Sequence, residues 1–333
     1  MVSNNILNTV SQGVFCLDPL THGVIGLAIS TFSGTPVGMT NPITLGCSIG
    51  AMAPDIDVVT KFIWDDSVYL KHHRGFSHTM PALLGLSGVI TGILHLLFPE
   101  SAVMGIFLWT MIGAFSHTLF DILNSYGARL IPFVKKKFKM NLLMLYDPVV
   151  TLLALVLIFK SQKNMVVYGT SVAIFIVYLF ARYMMRKRAR KAIEDNFAHG
   201  YKIISIDVLP ALMAFHKWNF VLNTNSHNIA GQVNILNKRI ETRKKLRRED
   251  KNLVKVFKGS NAGRYFTNLS PNYHVTMKND EGRIILEGID LRYFMRDNFM
   301  HHATVVIDEN LNVIESFLQP YKYEKRIPVA EHF

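Results

Sequence analysis

The sequence predicts an α-helical polytopic membrane domain of four to six helices followed by a mostly antiparallel β soluble domain. Three observations carry this expectation. The 333 residues are 50% apolar and only 18% charged, with a mean hydropathy of +0.21, whereas soluble domains carry roughly 25% charged residues. Apolar runs near the roughly 20 residues that cross a bilayer as helix crowd the first 190 positions. Beyond them the pattern changes to alternation, the period of a strand. These features exclude a wholly soluble enzyme, and the 22 Phe, 12 Tyr and 15 Met supply too much core-forming mass for a disordered chain.

Four spans are expected: Pro81 to Phe98, Ala102 to Phe120, Leu142 to Phe159 and Met165 to Ala181. Two shorter stretches, Leu20 to Phe32 and Pro42 to Ala53, are rich in glycine and suit re-entrant, tilted or internally packed segments. Basic residues set the orientation. Lys135 to Lys139 (KKKFK) and Arg182 to Lys191 (RYMMRKRARK) abut apolar runs, so the positive-inside rule puts both in the cytoplasm. The net charge of +12 is therefore read as membrane anchoring, and no nucleic-acid partner is expected. The expected location is the cell membrane, multi-pass, with the C-terminal domain cytoplasmic. The N-terminus lacks the basic and apolar regions of a cleavable signal.

The membrane domain is expected over residues 18–190 and a cytoplasmic β-rich domain over 200–333. Strands are read in YKIISIDVLP, MAFHKWNFVLN, NIAGQVNIL, NLVKVFKG, YHVTMKND, GRIILEGIDLRYF and HATVVIDENLNVIESFLQ. Hairpin turns are expected at 279–282 and 308–312, and a basic helix about Arg182 to Asp195 tethers the domain. Glu241 to Asp250 reads as a solvated loop or short helix. His216, His301 and His302 read as strand-face or surface residues.

Chemistry concentrates at the segment ends. The first 191 residues hold eight acids, and five of them, Asp18, Asp55, Asp57, Asp121 and Asp147, flank apolar runs beside His22, His72, His73, His78 and His117. Because successive segments reverse direction, these clusters all fall on one membrane face, the cytoplasmic one. Ionisable groups at membrane depth are costly and mark function. His117 and Asp121 stand at i and i+4 and grip one cation from one helix face. Asp55 and Asp57, separated by one residue, offer carboxylate oxygens for a metal and for water. Only Cys16 and Cys47 are present, so neither a disulfide framework nor a cysteine zinc site can form. The His/Asp set suits a divalent metal, zinc or a similar borderline ion. Bland readings stand beside these: Asp18 and Asp147 also fit helix N-caps before Pro19 and Pro148, His22 and His95 fit packed histidines, and Ser77 and Ser116 fit local hydrogen bonding.

Asp18-Pro-Leu-Thr-His22, Pro54-Asp55-Ile-Asp57, His73-Arg-Gly-Phe-Ser-His78 and Ser116-His117-xxx-Asp121 resemble the signatures of the YdjM-type family of predicted membrane-bound metal-dependent hydrolases. Their order is similar, more distantly, to zinc-dependent phospholipase C and related zinc nucleases. The resemblance covers roughly residues 18 to 190. It implies His22, Asp55, His73, His117 and Asp121 as metal ligands and His78 as a further ligand or the hydrogen-bond partner of one. It also implies Asp57 as the base acting on a metal-held water and Arg74 as a fork for a phosphate oxygen. The second His and the Glu of the soluble zinc enzymes have no His-xxx-Glu counterpart after Asp121, so Asp147 takes one of their places or fewer ions are held. The expected function is metal-dependent hydrolysis of a phosphoester or lipid-like substrate at the cytoplasmic face, with the bilayer, a phospholipid or another amphiphile as partner. The alternative is a non-enzymatic metal-binding transporter or sensor. Oligomeric state and substrate identity are open at this stage.

Overall fold

A computed structural model describes residues 17–55, 76–125, 127–131, 137–160, 164–212, 214–280, 283–295, 298–320 and 323–331. The chain divides into two compact units, with the change between Met184 and Met185.

The first unit is helical. Its elements are α1 (Leu17–Ser30), α2 (Pro42–Met52), α3 (Met80–Leu97), α4 (Val103–Leu123), α5 (Pro148–Lys160) and the first part of α6 (Met165–Phe197). Short 3-10 turns cover Thr31–Ser33 and Phe76–His78. Among the described residues, three helices, α3, α4 and α6, are long and apolar enough to cross a membrane. Their outward faces carry exposed Val89, Leu96, Met104, Leu108, Val177 and Phe180. Such faces suit lipid tails, which solvate apolar side chains and leave backbone polar groups to be satisfied within the helix.

The short α2 sits inside the bundle, in contact with α1, α3 and α4. Asn41 caps it by accepting from the Ile43 amide at 3.0 Å, with Pro42 in the first turn. Small residues explain how it fits. A Cβ on Gly113 of α4 would overlap the Cys47 carbonyl of α2, and one on Gly26 of α1 would lie 2.6 Å from the same oxygen. Only glycine allows backbones to approach this closely. The second of the two glycine-rich stretches is thus an internal helix.

The third expected span, Leu142 to Phe159, is shorter as a helix than its apolar run. Helix α5 begins at Pro148 and has 13 residues. The preceding Leu142, Leu143 and Met144 are buried in a non-helical segment, where the amides of Leu142 and Leu143 donate to the Leu123 carbonyl. The start is set by Asp147, whose Oδ1 accepts from the Val149 amide at 3.1 Å, with Pro148 at the first helical position.

The second unit holds the rest of α6 and two antiparallel sheets. The first is a meander of β1 (Ile203–Pro210), β2 (Lys217–Thr224), β3 (His227–Asn234) and β4 (Ile240–Arg247). Ala189 and Ile193 of α6 pack on its Ile206, Val208, Trp218, Phe220 and Leu222. Helices α7 (Lys251–Gly259) and α8 (Asn261–Leu269) follow. The second sheet has the order β11-β10-β9-β6-β5, from β5 (Tyr273–Asp280), β6 (Arg283–Asp290), β9 (His301–Ile307), β10 (Val313–Pro320) and β11 (Ile327–Pro328). The pair β7 (Phe294–Met295) and β8 (Asn298–Phe299) stands apart from it. Phe257 and Phe266 of the helices join Val275, Leu286, Val305 and Ile307 in its core.

Two local readings are corrected. NLVKVFKG, expected as a strand, is α7. Leu253, Val254 and Phe257 share one helix face, and the Asp250 side chain accepts from the Asn252 amide at 2.6 Å; the alternation of Val254 and Val256 mimics a strand over too few residues. Glu241 to Asp250, expected as a loop or short helix, is mostly strand β4, paired antiparallel to β3. It lies at a sheet edge and is polar over most of its length, so the alternation that marks a strand is missing. The hairpin expected at 308–312 is formed, with Asp308 and Asn312 bonded across it. Strands β5 and β6 pair up to Asp280 and Arg283, as expected around 279–282; residues 281 and 282 are outside the described set.

Candidate metal centre

Five side chains converge from four places in the helical unit. Helix α1 supplies His22, the turn after α2 supplies Asp55, the turn before α3 supplies His78, and α4 supplies His117 and Asp121. All five are buried. Asp121 Oδ2 lies 3.2 Å from His78 Nε2 and 3.7 Å from His117 Nε2. Asp55 Oδ1 lies 3.6 Å from His117 Nε2 and 3.8 Å from His78 Nε2. His22 Nε2 stands 3.8 Å from Asp121 Oδ1, and its ring lies against that of His117 with centroids 3.9 Å apart. Two overlapping triads, His22/Asp55/His117 and His78/His117/Asp121, each place three ligand atoms within 4.8 Å of one another.

The supporting bonds orient these donors. His117 Nδ1 lies 2.7 Å from the Ala51 carbonyl, which can only accept, so Nδ1 carries a proton and Nε2 is the nitrogen turned to the cluster, 3.2 Å from His78 Nε2. Metal-binding histidines are held in this way. The close approach of α2 to α4 brings that carbonyl within reach. Asn124, one turn beyond Asp121, donates from Nδ2 to Asp121 Oδ1 at 3.1 Å. Ser77 Oγ is 3.0 Å from His78 Nδ1, and Ser116 Oγ donates to the Gly113 carbonyl at 2.7 Å. Both serines thus bond locally. On one side, His22 borders a cavity lined also by Phe120, Asn124, Leu143, Asp147 and Thr151.

Of the residues singled out in the sequence, His22, Asp55, His78, His117 and Asp121 are together. His73, Arg74 and Asp57 lie outside the described residues, as does His72. Asp18 is the second residue of α1, and its side chain is also outside the described set. Asp147 does not join the triads. It caps α5, and its Oδ2 accepts from the Tyr178 hydroxyl at 2.6 Å.

Sequence reasoning missed Asn124, the Ala51 carbonyl and Tyr178. Asn124 sits three residues after Asp121, so the helix period could have found it. Tyr178 and Arg182 form an i, i+4 polar pair on an apolar helix, which is also a readable signal. A backbone carbonyl leaves none.

A helical bundle with apolar outer faces and a buried His/Asp cluster defines a polytopic membrane protein with a candidate divalent-cation centre. Residues 17–189 match the model of the YdjM inner membrane protein family, and the chain belongs to that family. Residues 252–327 match the YfhP C-terminal alpha/beta plait domain. The chain is similar to a Bacillus subtilis (strain 168) relative described as "Uncharacterized protein YfhP", with 28% identity over 316 residues, covering 90% of this chain and 94% of the relative. No solved structure matches.

Proposed function

We propose that this chain is a membrane-embedded metal-dependent hydrolase acting on a phosphoester or lipid-like substrate at the cytoplasmic membrane face. The observation behind it is the convergence of His22, Asp55, His78, His117 and Asp121 in one buried cluster. These donors fit a divalent cation: the imidazole nitrogen of His117 is aimed by the Ala51 carbonyl, two carboxylates offset the ion's charge, and no thiolate is needed. Mixed imidazole and carboxylate donors suit zinc. A bound ion would polarise a phosphoryl oxygen and acidify water.

The chain's own residues do the rest. His22, His78 and His117 with Asp55 and Asp121 hold the charge in place, and Asn124 keeps Asp121 turned inward. Asp57 serves as the base and Arg74 holds a phosphate oxygen. The basic runs at Lys135 to Lys139 and Arg182 to Lys191 support a cytoplasmic C-terminal domain.

Metal analysis of the purified protein beside His117→Ala and Asp55→Ala, followed by a phosphoester screen, tests this. Stoichiometric metal in the wild type, loss in both variants, and turnover of a phosphoester abolished with the metal are expected. Full occupancy in both variants refutes the centre. Bound metal without turnover of any ester favours a metal transporter or sensor instead.

A further inference from the structure

The first sheet of the second unit ends in two hairpin tips with an unusual composition. The tip between β3 and β4 exposes Leu236 at 76%, the most exposed large apolar side chain among the described residues of this unit. Lys238 and Arg239, both exposed, follow it. The tip between β1 and β2 exposes Phe215 at 39%, with Lys217 two residues on. The Ile235 amide donates to the His216 carbonyl at 3.1 Å, joining the two tips. Leu236 is also held locally, its amide donating to Asn234 Oδ1 at 3.0 Å.

Single exposed apolar residues are ordinary. What distinguishes these is the end of the sheet on which they lie. Pro210, Trp218, Val233 and Ile240 are paired across the sheet at the tip end. Arg186 of α6 reaches this end, its Nε donating to the Val208 carbonyl at 3.2 Å. At the opposite end, Phe197 at the close of α6 stacks near Tyr201, and Tyr201 stacks near His227. The segment Met185–Phe197 therefore runs along the sheet with its early residues beside the tips. Those early residues continue directly, within one helix, the apolar run that starts at Met165.

We propose that the tips around Phe215 and Leu236 dock on the bilayer surface. Leu236 and Phe215 enter the headgroup boundary, and Lys217, Lys238 and Arg239 bind anionic phospholipid headgroups. Apolar side chains flanked by cations are the pairing that holds a peripheral surface on an anionic leaflet. The proposal is independent of the metal centre.

The full chain in nanodiscs tests it. An environment-sensitive fluorophore is placed at Leu236→Cys and, as a control at the far end of the sheet, at Asn225→Cys. Cys16 is replaced by serine throughout, and the parent carried through the same labelling corrects for Cys47, which is buried. In discs containing phosphatidylglycerol, doxyl-labelled lipid should quench the label at 236 roughly threefold more than the label at 225. Charge reversal (K217E/K238E/R239E) or discs of phosphatidylcholine alone should remove about half of that difference or more. Equal quenching at the two positions overturns the proposal, as does quenching at 236 that ignores lipid charge. A label at 236 that responds to added RNA but not to quencher lipid overturns it in favour of a nucleic-acid surface.

Discussion

His117 has one ring nitrogen committed to the Ala51 carbonyl at 2.7 Å and the other turned toward two carboxylates, so its tautomer is set by a backbone atom 66 residues away. Asn124 does the equivalent for Asp121 at 3.1 Å. Because partners of this kind orient ligands without touching the ion, Asn124→Ala should keep the fold and weaken metal affinity about 10–100-fold, measured by competition with a chelating dye. Unchanged affinity would show that Asp121 needs no such support. The histidines and aspartates were legible because ionisable residues are rare in apolar sequence, and His117 with Asp121 was legible as a pair from the helix period. Asp147 was ambiguous for a physical reason: a carboxylate before proline serves a helix cap as readily as a cation, and its bonds to the Val149 amide and the Tyr178 hydroxyl select the cap.

Helix α2 illustrates what elements contribute. Its glycines let it pack against α1 and α4 at backbone distance, and this proximity delivers the Ala51 carbonyl to His117. Gly113→Val should therefore force α2 and α4 apart. A loss of roughly 1–3 kcal/mol is expected, seen as a lower midpoint in detergent-solubilised thermal unfolding, together with reduced metal retention; a variant that unfolds earlier but keeps its metal would break the link between this packing and the centre. At α5, Asp147→Ala removes an N-cap worth about 1 kcal/mol and also the acceptor of the Tyr178 hydroxyl. A smaller loss in Asp147→Asn, which retains capping oxygen, would distinguish the cap from the charge. Elements with a continuous pattern were read from sequence, whereas β4 and α7 were not. An edge strand buries too little to alternate, and a nine-residue helix offers too few turns to separate the helix period from the strand period.

At the scale of the whole chain, the second unit contains a buried ion pair that makes its stability depend on pH. Asp290 accepts from Arg292 Nη2 at 2.7 Å and Nε at 3.0 Å, and from Ser270 Oγ at 2.8 Å. Burial by itself raises the Asp290 carboxyl, and the Arg292 guanidinium outweighs it, holding the group below the ordinary carboxylate range. A depressed carboxyl contributes its stability above the unfolded value, roughly pH 4, and loses it as pH falls through the lower folded value. Asp290→Asn should cost about 3–5 kcal/mol near neutral pH, because Arg292 stays buried beside a neutral partner, and should flatten the acid limb of the unfolding profile. An unaltered acid limb in circular dichroism would assign that limb to other groups.

Composition and periodicity were enough for the two-part architecture, the apolar helices, most strands and the ionisable residues worth attention, since all of these follow from how a segment meets water or lipid along its own length. Convergence of His22, Asp55, His78, His117 and Asp121, the aiming of His117 by Ala51 and the alignment of the hairpin tips with Arg186 depend on contacts between segments far apart in the chain. Such contacts are fixed by close packing and by the pairing of buried polar groups, and neither leaves a periodic trace in a single sequence.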